Sequence, residues 1–378
     1  MSQPDTFDVA VIGAGIAGAS LAYRLAAHRN VLLLERESQP GYHSTGRSAA
    51  MFMESYGPPA VRALTRASRA FYTRPPDGFT DQALLASRGA MYLARPDQQR
   101  LLARQQAELA TTCPDLERLD RKQTVALVAC LRPELVHGSL LDHGAMDIDV
   151  HALHQGFLRG LRRHGGVLQA LAEVQGARRR GALWELQLPD GATMNARIVV
   201  NAAGAWADQV AALFGASAIG LVPHRRTAFT FKPPQGMRVA HWPVVSSVDE
   251  NFYFKPDAGV LLGSPANADP TVPHDVVPEE LDVATGIHHI EAATTLTIAR
   301  PLRSWAGLRS FVPDGEMVIG WDGQCENFLW LAGQGGYGIQ SAPGASKLAA
   351  ALVSGLPLPE ELARHGVDAD ALSPLRLR

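Results

Sequence analysis

The N-terminal stretch 8–35 carries the clearest hydrophobic pattern in the chain. Residues 9–12 form a short apolar run, as a strand buried on both faces requires. An Ala- and Leu-rich stretch with helical periodicity follows, and residues 31–34 form a second apolar run. The pattern predicts a strand, a helix and a second strand in direct succession.

Helical and strand-like patterns continue along the rest of the chain. Apolar residues recur at helical spacing in residues 59–72 and 147–164. Helices are also predicted for the charged stretch 98–109, for residues 279–299 and for an Ala- and Leu-rich stretch from about 340 to about 352. Short apolar or alternating runs predict strands at residues 91–93, 167–168, 184–188, 196–201, 227–231, 251–254, 259–263 and 328–332. Asp147 or Asp149 is the predicted N-cap of the helix at 147–164. The strand-rich stretch 215–300 predicts a mixed or antiparallel sheet.

A chain of 378 residues is too long for one compact core and suits two domains of ordinary size. The predicted fold class is α/β plus α+β, with a Rossmann-like nucleotide-binding domain and a second domain that has a mixed sheet. Because a buried strand, a glycine-dense loop and a helix return near the C-terminus, the first domain is predicted to be discontinuous. We assign residues 1–85, 146–214 and 303–378 to it, and residues 86–145 and 215–302 to the second, substrate-binding domain.

Three glycines between the first strand and the first helix have the spacing of a phosphate-binding turn. Gly13, Gly15 and Gly18 form a GxGxxG pattern. The first glycine permits the tight bend, the second lets the backbone approach a pyrophosphate, and the third allows close helix–strand packing. Glu35 follows about twenty residues later, where a carboxylate accepts hydrogen bonds from ribose hydroxyls. Strand, turn, helix, strand and acid together predict an adenine dinucleotide site.

Three further loops rich in small residues are candidates for holding more of a long cofactor. They are residues 36–57, residues 202–205 after the predicted strand at 196–201, and residues 333–340. Small residues let the backbone come close to a flat or charged group. From the residues alone, an ordinary surface loop remains open for 36–57 and a tight strand-to-helix turn for 202–205.

Composition and charge exclude several classes of function. The formal net charge is −2 and the signs are mixed, so nothing points to nucleic acid or an anionic membrane surface. Cys113, Cys130 and Cys325 are far apart and form no CxxC, which argues against disulfides, a zinc site or a redox dithiol. Residues 1–7 carry no leader pattern, and no apolar run is long enough to span a bilayer. We therefore expect a cytoplasmic protein without a metal.

Five sequence blocks carry a resemblance to a known family. They are GAGIAG at 13–18, GYHSTGRSAA at 41–50, VVNAAGAW at 199–206, WAGLRSFVPDG at 305–315 and GQGGYGIQ at 333–340. In this order they resemble the D-amino-acid oxidase superfamily of FAD flavoproteins, which includes glycine oxidase and sarcosine oxidase. Within it the chain is most similar to the bacterial FAD-dependent D-arginine dehydrogenases. The resemblance extends over nearly the whole chain.

The resemblance implies FAD rather than NAD, and four small-residue loops agree with a long cofactor that stays bound. In the family the first glycine turn and the acid hold the ADP half, residues 44–48 line the phosphate and flavin side, and the C-terminal loop covers the isoalloxazine ring. The cofactor-binding residues implied are Gly13, Gly15, Gly18, Glu35, Arg36, Ser44, Thr45, Gly46, Ser48, Ala203, Gly204, Gly335, Gly336 and Gly338. Some relatives attach FAD through a cysteine near 305–311. None occurs there, so we expect non-covalent FAD.

The family oxidises amines by hydride transfer from the α-carbon to flavin N5, while the protein fixes the substrate carboxylate. Arg226 and Arg309 match the family's carboxylate clamp, which suits the planar guanidinium fork. Alternation lets only one of Arg225 and Arg226 face the cavity. From the residues alone Arg225 remains open, as does a surface salt bridge for Arg309. The other catalytic residues implied are the active-site tyrosines Tyr56 and Tyr253, and Gly336 and Gln340 at positions that contact the substrate amine.

The side-chain pocket departs from the D-arginine dehydrogenases. The subgroup's histidine aligns with Met51, and the glutamate that receives the D-arginine side chain aligns with Ala90. Val244 and Ser246 are the other pocket positions. Without a carboxylate there, a buried cation would lie unpaired, which is costly. We expect the pocket to favour neutral or apolar D-amino acids over D-arginine, and Glu54 remains open as a replacement anion.

The resemblance implies an FAD-dependent D-amino-acid dehydrogenase or oxidase. Its imino acid product hydrolyses to a keto acid and ammonia. The alternatives are an oxidase of secondary amines such as sarcosine or proline, an FAD-dependent 2-hydroxy-acid dehydrogenase, and a flavin-binding protein without turnover. The electron acceptor, oxygen or a quinone, and the oligomeric state are left open by the sequence.

Overall fold

The computed structural model describes residues 6–113 and 115–378. Residues 1–5 lie outside the described residues. They are part of the first predicted domain and of the stretch in which the sequence shows no leader pattern. In the described part, no helix has the length and apolar character needed to cross a bilayer. The α-helices there are α1 (Ile16–Ala26), α2 (Pro59–Thr73), α3 (Gln99–Leu109), α4 (Arg121–Leu127), α5 (Val150–Arg163), α6 (Ala207–Leu213), α7 (Glu280–Ala293), α8 (Gly338–Val353) and α9 (Glu360–Arg364). Short 3₁₀ helices span Pro96–Gln98, Pro133–Leu135, Gly204–Trp206 and Pro374–Leu377.

The strands form three sheets. In chain order they are β1 (Phe7–Ile12), β2 (Val31–Leu34), β3 (Met51–Phe52), β4 (Leu85–Ser87), β5 (Ala90–Ala94), β6 (Leu116–Asp120), β7 (Gly138–Asp142), β8 (Met146–Ile148), β9 (Val167–Gln169), β10 (Gly176–Arg180), β11 (Leu183–Gln187), β12 (Thr193–Asn201), β13 (Val222–Phe231), β14 (Val244–Ser247), β15 (Tyr253–Asp257), β16 (Val260–Ser264), β17 (Asp269–Pro270), β18 (Arg303–Phe311), β19 (Val318–Trp321) and β20 (Phe328–Ala332). The smallest sheet has the order β3, β8, β4.

An eight-stranded sheet carries the first glycine turn. Its parallel strands lie in the order β9, β2, β1, β12 and β20. Strands β10, β11 and β19 add antiparallel pairs. The predicted strand, helix and strand at the N-terminus are β1, α1 and β2, so that prediction is confirmed.

Both faces of this sheet are covered, which explains the unbroken apolar runs in β1 and β2. Val9, Val11 and Leu33 face a cluster that includes α1, α2, α5 and α8. Ala10 and Leu32 face a second cluster on the opposite side. Each fully buried Val or Leu side chain stabilises the fold by about 1.5–3 kcal/mol. The glycine turn therefore sits on a firmly packed support.

A nine-stranded mixed sheet carries the other wall of the site. Strand β13 is flanked by β18 along one edge and by β17 and β16 along the other. The sheet then continues through β15, β14, β5, β7 and β6. Every pair is antiparallel except β14 with β5. The mixed second sheet expected from the sequence is thus present.

Several sequence-based bounds need refinement. Asp149, not Asp147, caps α5, because its Oδ1 accepts a hydrogen bond from the Ala152 N–H at 2.7 Å. Helix α7 ends at Ala293 rather than at 299, where Thr294 turns the backbone into a bridge with β-like geometry.

The predicted boundary at 303 assigns β18 to the nucleotide-binding domain, yet β18 pairs along its length with β13 of the nine-stranded sheet. The hydrogen bonds therefore favour a boundary after β18, near residue 312. The division into two domains itself stays a prediction.

Candidate active site

The first glycine turn packs against the loop that follows β12. Gly13 has φ +101°, a region that favours glycine, and a Cβ there would lie 2.5 Å from the Ala202 carbonyl oxygen. A Cβ on Gly18 would lie 1.9 Å from the Gly13 carbonyl oxygen, so Gly18 lets α1 approach the turn. A Cβ on Gly15 would meet only Thr45 Oγ1, at 3.3 Å, and Gly15 lines a large cavity. Gly13 thus permits the tight bend, Gly15 leaves the cavity open, and Gly18 permits close packing of α1.

Glu35 closes this turn at the end of β2. Its Oε2 accepts a hydrogen bond from the Ala14 N–H at 2.9 Å, and its Oε1 accepts one from the Glu37 N–H at 2.9 Å. Burial raises the pKa of Glu35, although these two N–H groups act in the opposite direction. Each carboxylate oxygen keeps a second lone pair. Because Glu35 lines the cavity, it is available to ribose hydroxyls.

His154 supports the same turn, and no sequence pattern marks it. It lies on α5 beside the apolar stripe, and its Nε2 lies 2.9 Å from the Ala14 carbonyl oxygen. Burial lowers the pKa of His154, which favours the neutral ring. Because a carbonyl oxygen only accepts, Nε2 carries the proton in this hydrogen bond. The histidine therefore positions the turn rather than acting on a substrate.

The loop of residues 41–48 ties the turn to the nine-stranded sheet. Thr45 Oγ1 accepts a hydrogen bond from the Ile16 N–H at 3.0 Å, at the start of α1. Ser44 Oγ donates to the Leu308 carbonyl oxygen on β18 at 2.7 Å. The interpretation of this stretch as an ordinary surface loop is therefore wrong.

These loops enclose a cavity of about 550 Å³. Of the predicted cofactor residues, the following line it: Gly13, Gly15, Glu35, Arg36, Ser44, Thr45, Ser48, Ala203, Gly204, Gly335, Gly336 and Gly338. Gly18 and Gly46 do not line it, because both are used in backbone packing. A Cβ on Gly46 would lie 2.8 Å from the Gly41 carbonyl oxygen. Trp206, which was not predicted, also lines the cavity, with the Arg36 guanidinium 4.8 Å from its ring centroid.

Arg226 and Arg309 enter this cavity from adjacent strands. Arg226 on β13 is paired with Gly307, two residues before Arg309 on β18, so the two arginines lie diagonally on one face. Arg225 points to the other face, where its Nε lies 2.8 Å from Asp282 Oδ2. Strand alternation therefore places Arg226 in the cavity, and the Arg225 alternative is wrong. Arg226 lies in the middle of β13.

The two guanidiniums have no anionic partner. Among the described residues, no carboxylate oxygen lies within 4 Å of either one, and Arg226 Nε is buried without a hydrogen-bond partner. Burial and the charge of Arg309 lower the pKa of Arg226 to about 10. Burial acts in the same direction on Arg309, but nearby tyrosine hydroxyls raise its pKa above the ordinary value. Because charges partly removed from water without a counter-ion are unfavourable, this arrangement favours an anionic ligand.

Tyrosines and a glycine surround Arg309. Its Nη1 donates a hydrogen bond to Tyr56 Oη at 3.2 Å. The Tyr56 and Tyr337 rings are in edge contact, with centroids 5.0 Å apart, and burial raises the pKa of Tyr337. A Cβ on Gly336 would lie 2.8 Å from Arg309 Nη1. Glycine at this position therefore leaves the space that the guanidinium occupies.

A second cavity of about 100 Å³ shares Arg226, Tyr253, Arg309 and Gly336 with the first. All of the predicted catalytic and side-chain pocket residues line it: Tyr56, Arg226, Tyr253, Arg309, Gly336, Gln340, Met51, Ala90, Val244 and Ser246. The structure thus brings together residues from the nine-stranded sheet, from β3 of the smallest sheet, from two loops and from α8. We call the first the cofactor cavity and the second the substrate cavity.

Two expectations about the substrate cavity need correction. The Gln340 amide donates to the Tyr56 carbonyl oxygen at 3.2 Å and accepts from the Met53 N–H at 3.3 Å. It therefore holds the segment around Tyr56 in place, and its side chain is not free for a substrate amine. Glu54 pairs with Arg69 at 2.6 Å and does not line the cavity, so the Glu54 alternative is wrong.

Two charged residues in the substrate cavity were missed. Lys255 follows Tyr253 by two positions on β15, so both side chains point to the same face. This alternation is the sequence signal that identifies it. Glu250 also lines the cavity, but it is exposed in the turn between β14 and β15, so it lies at the mouth.

Metal and thiol chemistry find no support in the described part of the chain. It contains no group of His, Cys, Asp and Glu side chains that could hold a metal ion. Cys113, Cys130 and Cys325 are buried free thiols, and none lines either cavity. Burial raises the pKa of Cys130 to about 12.

The cofactor cavity suits the dinucleotide that the sequence predicts. Backbone N–H groups at the start of α1 would hold the pyrophosphate, with Gly15 leaving room for it. Glu35 would hold the ribose hydroxyls. The cavity continues to Gly336 and Arg309, where it meets the substrate cavity. The cavity is therefore long enough, and lined by suitable groups, for both halves of a dinucleotide cofactor.

Comparison with solved structures shows the same fold. Glycine oxidase from Geobacillus kaustophilus superposes with a TM-score of 0.82 at 22% identity, covering 93% of this chain and 95% of that one. L-proline dehydrogenase from P. horikoshii superposes with a TM-score of 0.84 at 21% identity, covering 99% and 98%. Among curated proteins, mitochondrial dimethylglycine dehydrogenase of Rattus norvegicus is 25% identical over 366 residues, which cover 91% of this chain. The match spans 42% of the length of that relative.

A family model provides the assignment. The model described as "DAO: FAD dependent oxidoreductase" matches residues 8–352, a range that includes every residue of both cavities. The resemblance to this superfamily is confirmed, and FAD is the cofactor. The chain belongs to the DAO family of FAD-dependent oxidoreductases.

Proposed function

We propose that the protein oxidises the amine of a D-amino acid with FAD. The observation that carries this proposal is the pair Arg226 and Arg309, two half-buried guanidiniums without a carboxylate within 4 Å among the described residues. A substrate carboxylate is the anion that would satisfy them. The D configuration and the narrower resemblance to D-arginine dehydrogenases are part of the proposal.

The chain's own residues would fix the substrate at its acid end. Arg309 and Arg226 would each donate hydrogen bonds to the carboxylate, and the hydroxyls of Tyr56 and Tyr253 would add to them. Each charge-assisted contact contributes about 1.5–3 kcal/mol. Gly336 lines both cavities, and its backbone carbonyl is the proposed acceptor for the substrate amine.

Bound FAD supplies the acceptor for two electrons and the α-hydrogen of the substrate. The substrate nitrogen loses a proton and its bond to the α-carbon becomes a double bond. The imino acid then takes up water and releases ammonia, which leaves the keto acid. Oxygen or a quinone takes the electrons in the second half of the cycle.

A cationic side chain would be disfavoured in the substrate cavity. Ala90 offers no carboxylate where the D-arginine dehydrogenases have one, and Lys255 would repel the guanidinium of D-arginine. Glu250 lies at the exposed mouth, where water screens it. We therefore expect D-arginine to be a poorer substrate than neutral D-amino acids.

A secondary or tertiary amine is the second candidate. Two of the similar proteins are a dimethylglycine dehydrogenase and an L-proline dehydrogenase, whose names specify such amines. The same arginine pair would hold the carboxylate of either substrate class. The two candidates therefore differ at the nitrogen and not at the acid end.

The test is loss of the visible flavin absorbance when substrates are added to the FAD-loaded protein without oxygen. The panel contains D-, L- and N-methyl amino acids, D-arginine and 2-hydroxy acids. We expect neutral D-amino acids to bleach the flavin and D-arginine to do so poorly. Faster bleaching by N-methyl amino acids or proline would favour the second candidate, and no bleaching by any of them would refute both.

A further inference from the structure

Lys255 is a buried cation in the substrate cavity that the proposed reaction does not use. Only 7% of its side chain is exposed. Its neighbour on the same strand face, Tyr253, is paired with Ser246, and Val244 is paired with Ala90. Because β14 and β15 are antiparallel, the same register places Lys255 opposite Val244. Lys255 therefore lies on the side of the cavity that Val244 and Ala90 form. This is the side where the pocket departs from the D-arginine dehydrogenases.

The Lys255 ammonium is only partly satisfied. Its Nζ lies 2.6 Å from Asp147 Oδ1 and 4.0 Å from the Met51 sulfur, which is a weak acceptor. An ammonium has three donors, so one of them has a strong partner among the described residues. Met51 also lines the cavity, which places the ammonium beside it.

Asp147 does not fully neutralise Lys255, because its carboxylate also pairs with Arg88. Its Oδ2 lies 2.7 Å from Arg88 Nε, and the side chains of Asp147 and Arg88 are only 21% and 16% exposed. Two cations therefore share one carboxylate in a mostly buried cluster. The cluster of Arg88, Asp147 and Lys255 carries one excess positive charge.

The lining of the substrate cavity shows the same excess. Its charged residues are three cations, Arg226, Arg309 and Lys255, and one anion, the exposed Glu250. One substrate carboxylate at the arginine pair leaves the Lys255 end positive. A second carboxylate on the substrate would complete the charge balance.

We propose that Lys255 binds a second carboxylate, so that the substrate is a dicarboxylic amino acid such as glutamate or aspartate. This inference rests on the proposed function and adds no chemical step to it. Arg226 and Arg309 would hold the α-carboxylate, and Lys255 would hold the side-chain carboxylate. Dicarboxylic substrates should then bind more tightly and be oxidised faster than neutral ones, just as neutral substrates should be better than D-arginine. The competing role for Lys255 is a purely structural tie between β15 and β8.

A pair of ligands that differ by one charge separates these roles. Glutarate has two carboxylates, whereas its monoamide, glutaramate, has one and nearly the same shape. Binding of each to the FAD-loaded protein is measured by calorimetry and by the change in flavin absorbance. We expect glutarate to bind about tenfold more tightly or better, as one charge-assisted contact provides. Equal binding of the two ligands would refute the inference.

Lys255→Met and Lys255→Arg identify the residue responsible. Lys255→Met should bring the glutarate-to-glutaramate ratio close to one and leave glutaramate binding within about threefold, whereas Lys255→Arg should retain the preference. Lys347→Met is the matched control, since Lys347 is half-buried and paired with Glu361 outside both cavities, and it should bind both ligands as the wild type does. Equal weakening of both ligands by Lys255→Met would show a structural tie only. If that variant does not fold, the wild-type ratio and Lys255→Arg decide.

Flavin bleaching by glutamate and glutamine of each hand keeps the two proposals separate. Preferential bleaching by D-glutamate supports both, whereas the same preference for L-glutamate supports the role of Lys255 and refutes the D configuration. Bleaching by neutral amino acids without a preference for glutamate leaves the proposed function intact and refutes the role of Lys255. No bleaching by any amino acid refutes the proposed function itself.

Discussion

Arg309 and Arg226 differ in how firmly the protein holds them. Arg309 donates a hydrogen bond to Tyr56 and lies against the backbone at Gly336. Arg226 has a buried Nε without a partner, and its charge is opposed by that of Arg309. We infer that Arg309 is preorganised for a ligand, whereas Arg226 gains its main hydrogen bonds when a carboxylate arrives.

Neighbouring arginines provide a matched test of this clamp. Arg226→Ala should weaken binding of a substrate carboxylate by roughly 10- to 150-fold, because one charge-assisted contact of about 1.5–3 kcal/mol is lost. Arg225→Ala should leave that dissociation constant unchanged and lower the melting temperature, because Arg225 pairs with Asp282 on the opposite face. Ligand titrations and thermal unfolding of both variants check this. Equal binding defects in the two variants would contradict the assignment of Arg226.

Glu35 should make FAD binding sensitive to acid. Burial raises its pKa above the usual 4.5, so it takes up a proton at a higher pH than an ordinary glutamate. Protonation removes an acceptor from the ribose hydroxyls, so the FAD dissociation constant should rise as the pH falls through this raised pKa. Equilibrium titration of the apoprotein with FAD between neutral and acidic pH checks this. Glu35→Gln should bind FAD more weakly at neutral pH and show a flatter profile over the same range.

At the scale of elements, periodicity predicted most helices and strands, because a buried face leaves a direct pattern in the sequence. The start of β13 was missed because it lacks such a pattern. Arg225 and Arg226 are charged and face opposite sides, so the strand carries no apolar signal there. The end of α7 at Ala293 depends on a bridge between Thr294 and Leu131, a contact between distant residues that no local pattern records.

Two glycines of the first turn are expected to have different roles, one in cofactor binding and one in stability. Gly15→Ala should fold normally, because its Cβ would meet only Thr45 Oγ1 at 3.3 Å, but FAD should bind at least about tenfold more weakly since the methyl group enters the cavity. Gly18→Ala should lower the stability itself by about 1–3 kcal/mol or more, because its Cβ would lie 1.9 Å from a backbone oxygen. FAD titration and thermal unfolding of both apoproteins check this. A Gly15→Ala variant with wild-type FAD affinity would contradict the placement of the cofactor.

At the scale of the whole molecule, the cavities depend on segments that are far apart in the chain. Tyr56 lies in the loop between β3 and α2, whereas Arg226, Tyr253 and Arg309 lie on three different strands. Only the family resemblance brought them together in the sequence. Lys255 was missed although Tyr253 stands two residues away, because its partner Asp147 lies 108 positions earlier. Composition and period describe what each segment buries, but they do not record which distant segments meet.

The bound cofactor should hold these segments together without a covalent bond. No cysteine lines either cavity. We expect acid precipitation to release all of the flavin into the supernatant, and a yellow pellet would contradict this. FAD at a hundred times its dissociation constant should stabilise the protein by about 2.7 kcal/mol, which thermal unfolding with and without added FAD measures.

The unpaired arginines have a practical consequence. Acetate, formate and citrate are common in buffers and crystallisation solutions, and each offers the acid group that Arg226 and Arg309 lack. Such ions would compete with the substrate and make its affinity look weaker than it is. Organic acids in a crude extract would act in the same way, so activity should be assayed after desalting and in a buffer of uncharged or cationic molecules.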